Sequence, residues 1–250
     1  MQATGLVSFA IAVWSLGRWP EFEPGMVPFG IALGLLGVIS VAALYRGLAH
    51  GPVAVVAPVV ASYVVITVVL VVIFLGERLT TAQILAASLV FVGVVLTSTD
   101  ARELRVTLGR PVPGVRIGLL ATLGFGLWSA VFAIATRQYA WIPMIVLLRA
   151  TSFVFVGSYI AARRIDLRVF RARTPLILGT IVGVLDTLAN VFFARGIESG
   201  YASLAATGTG MYPIVPAVLG MIALGERLAP NQLVGIGLLV IGLATLGAVS

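Results

Sequence analysis

Two polar side chains, Asp186 and Asn190, stand four residues apart in the middle of an apolar run, 175–194. Four residues along a helix bring both to one face. A carboxylate inside such a run is costly unless it faces a bundle interior and finds a partner there. Held that way, Asp186 can take a proton or the cationic group of a solute, with the Asn190 amide beside it; the simpler alternative is a hydrogen-bonded clamp between helices. Arg149, about two turns into the run 141–161, is a second charge at depth. It is placed either to neutralise Asp186 or to snorkel along its own stem to the membrane interface, with snorkelling or structural pairing the stronger expectation. Tyr63 and Tyr212 each lie thirteen residues before a Gly-Glu-Arg-Leu and offer ring faces and hydroxyls; Trp128 and Trp14 offer larger rings. The candidate substrate-binding set is Asp186, Asn190, Tyr63, Tyr212, Trp128 and Arg149.

The elements that carry these residues are membrane helices. The chain is 60% hydrophobic and 10% charged, against about 25% charged in a soluble domain, so the bilayer is its solvent. Nine apolar runs approach the ~20 residues that a span needs: 2–17, 26–45, 52–75, 82–99, 115–136, 141–161, 175–194, 201–224 and 231–249. None alternates with period two, which excludes barrel strands. All 16 basic residues are arginines and the formal net charge is +7. Set between apolar runs, they read as topology signals in preference to a nucleic-acid surface. There is no cysteine and His50 is the single histidine, so no thiolate or multi-histidine metal site is available. One intramembrane aspartate with an asparagine and one histidine does not make an acid–base centre. The triplet Gly208-Thr209-Gly210 lacks the strand that a dinucleotide fingerprint requires. The expectation is no enzyme activity, no cofactor and no metal.

The chain repeats itself. "LGERLTTAQ" at 75–83 returns as "LGERLAPNQ" at 224–232. With a shift of 149, residues 46–94 align on 195–243 without a gap, and sixteen of 49 positions are identical. The matches include Arg46/Arg195, Gly51/Gly200, Tyr63/Tyr212, Gln83/Gln232 and Gly93/Gly242; upstream, Gly30 and Gly34 match Gly179 and Gly183. Shared apolar composition would not align glycine, arginine, tyrosine and glutamine in register, so this is a duplication. Gly-Glu-Arg-Leu then reads as a tight, solvated helical turn at one hinge in each copy. "GIALG" (30–34) and "GTIVG" (179–183) read as close-packing faces. Pro58, Pro213 and Pro216 interrupt the fourth helix of each copy, as broken helices do near the binding region of carriers. The second copy has five spans and the first four, so either an opening helix lies upstream of residue 1, which is the favoured expectation, or the chain works with nine spans. An odd number of helices per copy makes the second copy enter the membrane from the opposite side. The expected organisation is a first repeat at 1–100, a basic linker at 101–114 and a second repeat at 115–250.

These motifs resemble the EamA-type transporters of the drug/metabolite transporter superfamily. "GLWSAVFAIATRQ" (126–138) is similar to that family's opening helix, "LLRATSFVF" (147–155) to its second, and "GMYPIVPAVLGMIALGE" (210–226) to its fourth. The resemblance covers nearly the whole chain. It implies an all-α integral membrane protein of two inverted five-helix repeats, with nine of ten spans present. It also implies a secondary carrier in the cytoplasmic membrane, commonly an exporter of metabolites, amino acids or drugs. The alternatives are a carrier of phosphorylated metabolites or nucleotide sugars, and a membrane fragment that does not transport. Phosphorylated substrates would favour several basic residues at depth; neutral or amine-bearing solutes fit Asp186 better. The partners implied are the lipid bilayer and a small-molecule substrate, with protons as the candidate coupling ion. Arginine bias puts the C-terminus outside, whereas the resemblance implies a cytoplasmic C-terminus.

Overall fold

The computed structural model describes residues 2–15, 17, 19–51, 53–98, 114–165, 173–209 and 229–249. Every regular element among them is an α-helix: α1 Gln2–Ser15, α2 Met26–His50, α3 Val53–Ala61, α4 Tyr63–Leu75, α5 Thr81–Ser98, α6 Val115–Gln138, α7 Trp141–Arg163, α8 Arg173–Ser199, α9 Ala202–Thr209 and α10 Pro230–Val249. The helices keep their backbone bonds internal, as hydrocarbon demands. Their outward side chains are large and apolar, with Phe192 73% and Ile73 67% exposed. Helices α2, α6, α7 and α8 are each long and apolar enough to cross a membrane. The chain is thus a multi-pass all-α membrane protein. The basic linker falls mostly on residues outside the described ones, as do Tyr212, Pro213, Pro216 and Glu226.

Two expected boundaries move. Sequence breaks were expected at Arg46 and Arg195, yet α2 runs on to His50 and α8 to Ser199. Arginine marks where lipid ends, but a helix stops only where its backbone is interrupted, here by Gly51 and Gly200. Second, the run 52–75 is not one helix: it breaks at Ser62. There the backbone tightens, with Ser62 N–H donating to Val59 O at 3.3 Å and Val65 N–H to Ser62 O at 3.1 Å. Ser62 Oγ bonds the same Val59 carbonyl at 2.6 Å, and Thr122 Oγ1 does so at 2.7 Å. Hydroxyls that compete for helix carbonyls bend helices in this way.

The chain forms two compact units. The first is Met1–Val38 with Val131–Ser199. In it α1 packs along both α7 and α8. The small-residue faces are the contacts. Thr151 Oγ1 donates to Gly30 O at 2.7 Å, and a Cβ on Gly34 would lie 2.9 Å from the Ser152 amide nitrogen. On the duplicate face, Thr4 Oγ1 donates to Gly179 O at 3.4 Å, and a Cβ on Gly5 would lie 3.0 Å from Gly183 O. So α7 seats on one copy of the motif and α1 on the other, at backbone-to-backbone approach.

The second unit is Ile39–Ala130 with Gly200–Ser250. Its densest seam joins α5 to α10, the equivalent helices of the two copies. A Cβ on Gly93 would lie 2.8 Å from Gly235 O, and one on Gly242 would lie 2.9 Å from Val90 N. Asn231 Nδ2 donates to Leu96 O at 3.0 Å. Positions rise along one helix as they fall along the other, so the pair is antiparallel. Equivalent helices running in opposite senses are what an inverted duplication produces. The repeated glutamines start these helices. Thr80 N–H donates to Gln83 Oε1 at 2.9 Å and Ala229 N–H to Gln232 Oε1 at 2.9 Å. Each is the returning arm of a capping box, and Thr80 Oγ1 completes the first by accepting from Gln83 N–H at 3.2 Å.

The Gly-Glu-Arg-Leu turn does more than mark a solvated corner. Gly76 ends α4 in the left-handed region, φ 65°, where glycine has no Cβ penalty. Arg78 is exposed, but Glu77 is half-buried and reaches the start of α9. Its Oε1 accepts from Ala202 N–H at 2.6 Å; its Oε2 accepts from Ser203 N–H at 3.0 Å and Ser203 Oγ–H at 2.5 Å. The carboxylate satisfies amides that have no partner inside their own helix and meets the positive end of the helix dipole.

Candidate substrate site

Arg149 enters the first unit from α7, eight residues beyond Trp141 and so about 12 Å along the helix. It does not snorkel. Its residue is 1% exposed, the largest of the fully buried side chains among the described residues. A guanidinium keeps its charge in any protein environment, so burial at this depth requires a counter-charge. Asp186, from the middle of α8, supplies it: Arg149 Nη1 donates to Asp186 Oδ2 at 2.5 Å. The partners are unequally covered, with side-chain exposures of 2% and 42%. The acid is therefore the accessible member of the pair.

Arg149 Nη1 also donates to Gln2 Oε1 at 3.2 Å. This makes Gln2 of α1 a member of the site that sequence reasoning missed; a glutamine opening an apolar run was the available signal. Asn190 shares the face of Asp186 and is 8% exposed. Its Nδ2 donates to the main-chain carbonyl of Asp186 at 2.7 Å. The amide thus serves its own helix, four residues back, and among the described residues it neither joins the carboxylate nor clamps another helix. Next to the pair, α1 presents Gly5. A Cβ there would lie 2.6 Å from Thr187 Oγ1 and 3.6 Å from Arg149 Cζ, so the helix can lie this close only without a side chain.

Thr187 also borders an apolar cavity of about 230 Å³ between α1, α7 and α8. Phe9, Val13, Trp141, Leu188 and Val191 line it, and the Phe9 and Trp141 rings stand 6.3 Å apart at 54°.

The first unit thus brings together Arg149, Asp186 and Asn190. Tyr63 and Trp128 belong to the second unit, on α4 and α6. There the Tyr63 hydroxyl shares a hydrogen bond of 3.1 Å with Thr209 Oγ1, and its ring meets Phe125 at 5.8 Å. Trp128 is half-buried, and Tyr212 lies outside the described residues. No group of three or more histidine, cysteine or acidic side chains suited to a metal occurs among the described residues.

This architecture matches known proteins. A solved crystal structure, described only as that of a protein, superposes with a TM-score of 0.75 over 100% of this chain and 86% of its own, at 16% identity. That likeness concerns the fold. A relative from Bacillus subtilis (strain 168), named uncharacterized transporter YwfM, is 26% identical over 167 residues, 66% of this chain. The chain spans 54% of that relative's length. The EamA-like transporter family matches residues 1–99 and 112–248, one segment for each copy of the repeat. With an inverted, all-helical duplication in place and nearly its whole length matched, the chain belongs to the EamA-like transporter family.

Proposed function

We propose that this chain is a secondary transporter that moves small organic solutes across the membrane by alternating access, in the direction of export, with Asp186 and Arg149 at its substrate site. The observation that carries the reading is the buried Arg149 held against a half-exposed Asp186 at mid-helix. Such a pair is expensive to keep in hydrocarbon and contributes little net stability. A carboxylate reachable from one side can exchange a proton or a cationic group as access alternates. The antiparallel α5–α10 pair supports the alternating-access part, because inverted repeats supply two related states around one site.

The test is flux in proteoliposomes with a labelled panel of amino acids, amines and sugar phosphates, for the unaltered chain and for Asp186→Asn. Asparagine keeps the shape and can accept from Arg149, but cannot ionise. The expected outcome is a loss of flux of roughly tenfold or more, as for removal of one charged contact, with melting in detergent little changed. Equal rates and equal pH profiles would reduce the pair to a structural clamp.

A further inference from the structure

We infer that the apolar cavity between α1, α7 and α8 is the seat of a bound phospholipid with an anionic headgroup: one acyl chain lies in the cavity, and Arg195 holds the phosphate beyond its mouth. Neither Arg149 nor Asp186 lines the cavity, so the inference stands apart from the transport reading. The walls decide the chemistry of the occupant. Phe9, Val13, Trp141, Leu188 and Val191 are apolar. The two hydroxyls on the lining are already engaged by their own helices. Ser8 Oγ donates to Gly5 O at 3.1 Å, and Thr187 Oγ1 to Gly183 O at 2.8 Å. A buried water makes about three hydrogen bonds, and these donors are spent. What the cavity of about 230 Å³ accepts is hydrocarbon, a stretch of one chain.

The cavity opens outward. Ala12 and Leu188 belong to its lining and are both exposed, and the surroundings of an outward face in a membrane protein are lipid. The repeat supports lipid over another helix as the cover. In the first copy α6 lies against Ser40 and Gly47 of α2, and their counterparts on α8 are Ala189 and Gly196. Those two lie roughly 140° around α8 from the cavity wall. A helix in the equivalent place leaves the mouth uncovered.

The charge stands at the right height. Val184, Leu188 and Val191 share one face of α8, and Arg195 continues it one turn beyond the cavity. From Val184 to Arg195 is about 16 Å along the helix, close to the ~15 Å depth of one leaflet. Trp141, at the start of α7, marks the same end with the kind of ring that sits at headgroup level. Arg195 donates from Nη1 to Glu198 Oε2 at 3.1 Å, with side chains 61% and 37% exposed. An ion pair so open to water contributes little, and it leaves the other guanidinium donors for a phosphate. An apolar trough one leaflet deep under an arginine is complementary to a lipid, and its charge selects an anionic one.

The experiment is quenching of tryptophan fluorescence in the full chain reconstituted into vesicles. Two series are compared: brominated phosphatidylglycerol in phosphatidylcholine, and brominated phosphatidylcholine in phosphatidylglycerol, with the bromine at mid-chain in both. The Trp141 signal is the difference between the unaltered chain and Trp141→Phe. Trp141 is the reporter because its ring lines the cavity, 6.3 Å from that of Phe9. Unselective boundary lipid would quench it alike in both series. The expected result is half-quenching at a mole fraction roughly fivefold lower for phosphatidylglycerol, the effect of one arginine on an anionic lipid. Arg195→Gln is expected to bring the two series together, and Arg195→Lys to keep them apart. Ala12→Phe, which sets a ring in the cavity from its exposed rim, is expected to reduce quenching by both lipids.

The inference is overturned if the two series coincide for the unaltered chain, or if they stay apart in Arg195→Gln. It is overturned as well if Ala12→Phe leaves Trp141 quenched as before, since lipid would then be drawn to a bare surface by charge alone. A helix or a second copy of the chain seated on this face would shield Trp141 from both lipids, and that result also sinks the lipid site. Should Ala12→Phe fail to fold, the two series on the unaltered chain and on Arg195→Gln decide, because the latter alters only an exposed side chain.

Discussion

Replacing Glu77 with glutamine keeps the side chain's length and removes its charge. Glu77 accepts from Ala202 N–H, Ser203 N–H and Ser203 Oγ–H, at 2.6, 3.0 and 2.5 Å. A glutamine can turn its one oxygen to a single side of that cluster. Its NH2 then faces a donor, and at least one amide at the start of α9 loses its acceptor. A hydrogen bond to a charged group is worth about 1.5–3 kcal/mol, and an anion at a helix N-terminus about 0.3–1 kcal/mol more. Half-burial of Glu77 screens part of this, so the expected loss is about 2–3 kcal/mol. The assay is unfolding by SDS from mixed micelles, followed by circular dichroism. Arg78→Gln, one residue along in the same motif and exposed, is the control and is expected to stay within about 0.5 kcal/mol. If the two variants lose the same amount, the clamp contributes nothing and the motif is only a turn.

The same unfolding assay tests three other sites. Gly93→Val is expected to cost about 1–3 kcal/mol or more, because a Cβ there would lie 2.8 Å from Gly235 O and Leu239 N, backbone atoms that cannot yield without parting α5 from α10; an unchanged midpoint would refute that seam. Gln83→Ala and Gln232→Ala are expected to cost about 1 kcal/mol each. They should add within about 0.5 kcal/mol, since each caps a different helix. Arg164 ends α7 in the left-handed region, φ 49°, so Arg164→Gly is expected to stabilise by about 1 kcal/mol; a destabilised variant would mean that the Arg164 side chain outweighs the strain.

What could be read in advance follows the range of the interactions. Apolar runs set the helices, because the bilayer enforces their length locally. The register of the repeat located Gly30, Gly34, Gly93 and Gly242 before any contact was known, because close packing needs a missing Cβ wherever it occurs. The role of Glu77 was hidden, since its partner lies 125 residues away and no local pattern names it. Arg149 was ambiguous for a similar reason: snorkelling depends on its own stem, whereas turning inward depends on Asp186, 37 residues on. The break at Ser62 needed knowledge of Thr122, whose hydroxyl bonds the Val59 carbonyl from α6. The sequence leaves Tyr63 open between a ring and hydroxyl beside a cavity and ordinary helix packing, because the groups its hydroxyl and ring meet, Thr209 and Phe125, lie far along the chain.

The parts that occur twice differ in kind from the part that occurs once. Glycines at helix seams, glutamines at helix starts and the Gly-Glu-Arg-Leu motif are duplicated in the sequence, and among the described residues each fixes how backbones approach or end. Asp186 and Asn190 are matched in the first copy by Gly37 and Val41, which carry no charge. In an inverted repeat the two access states arise when the copies exchange conformations, so a seam that holds one state must have a counterpart to hold the other. A substrate site is under no such requirement. It meets the same solute from either side, and a ligand biases the two states only through a difference in its contacts with each. On the transport reading proposed above, a single charged pair within a doubled frame would provide that difference: what is duplicated would keep the two states close in energy, and Arg149 with Asp186 would be where a bound solute tips the balance between them.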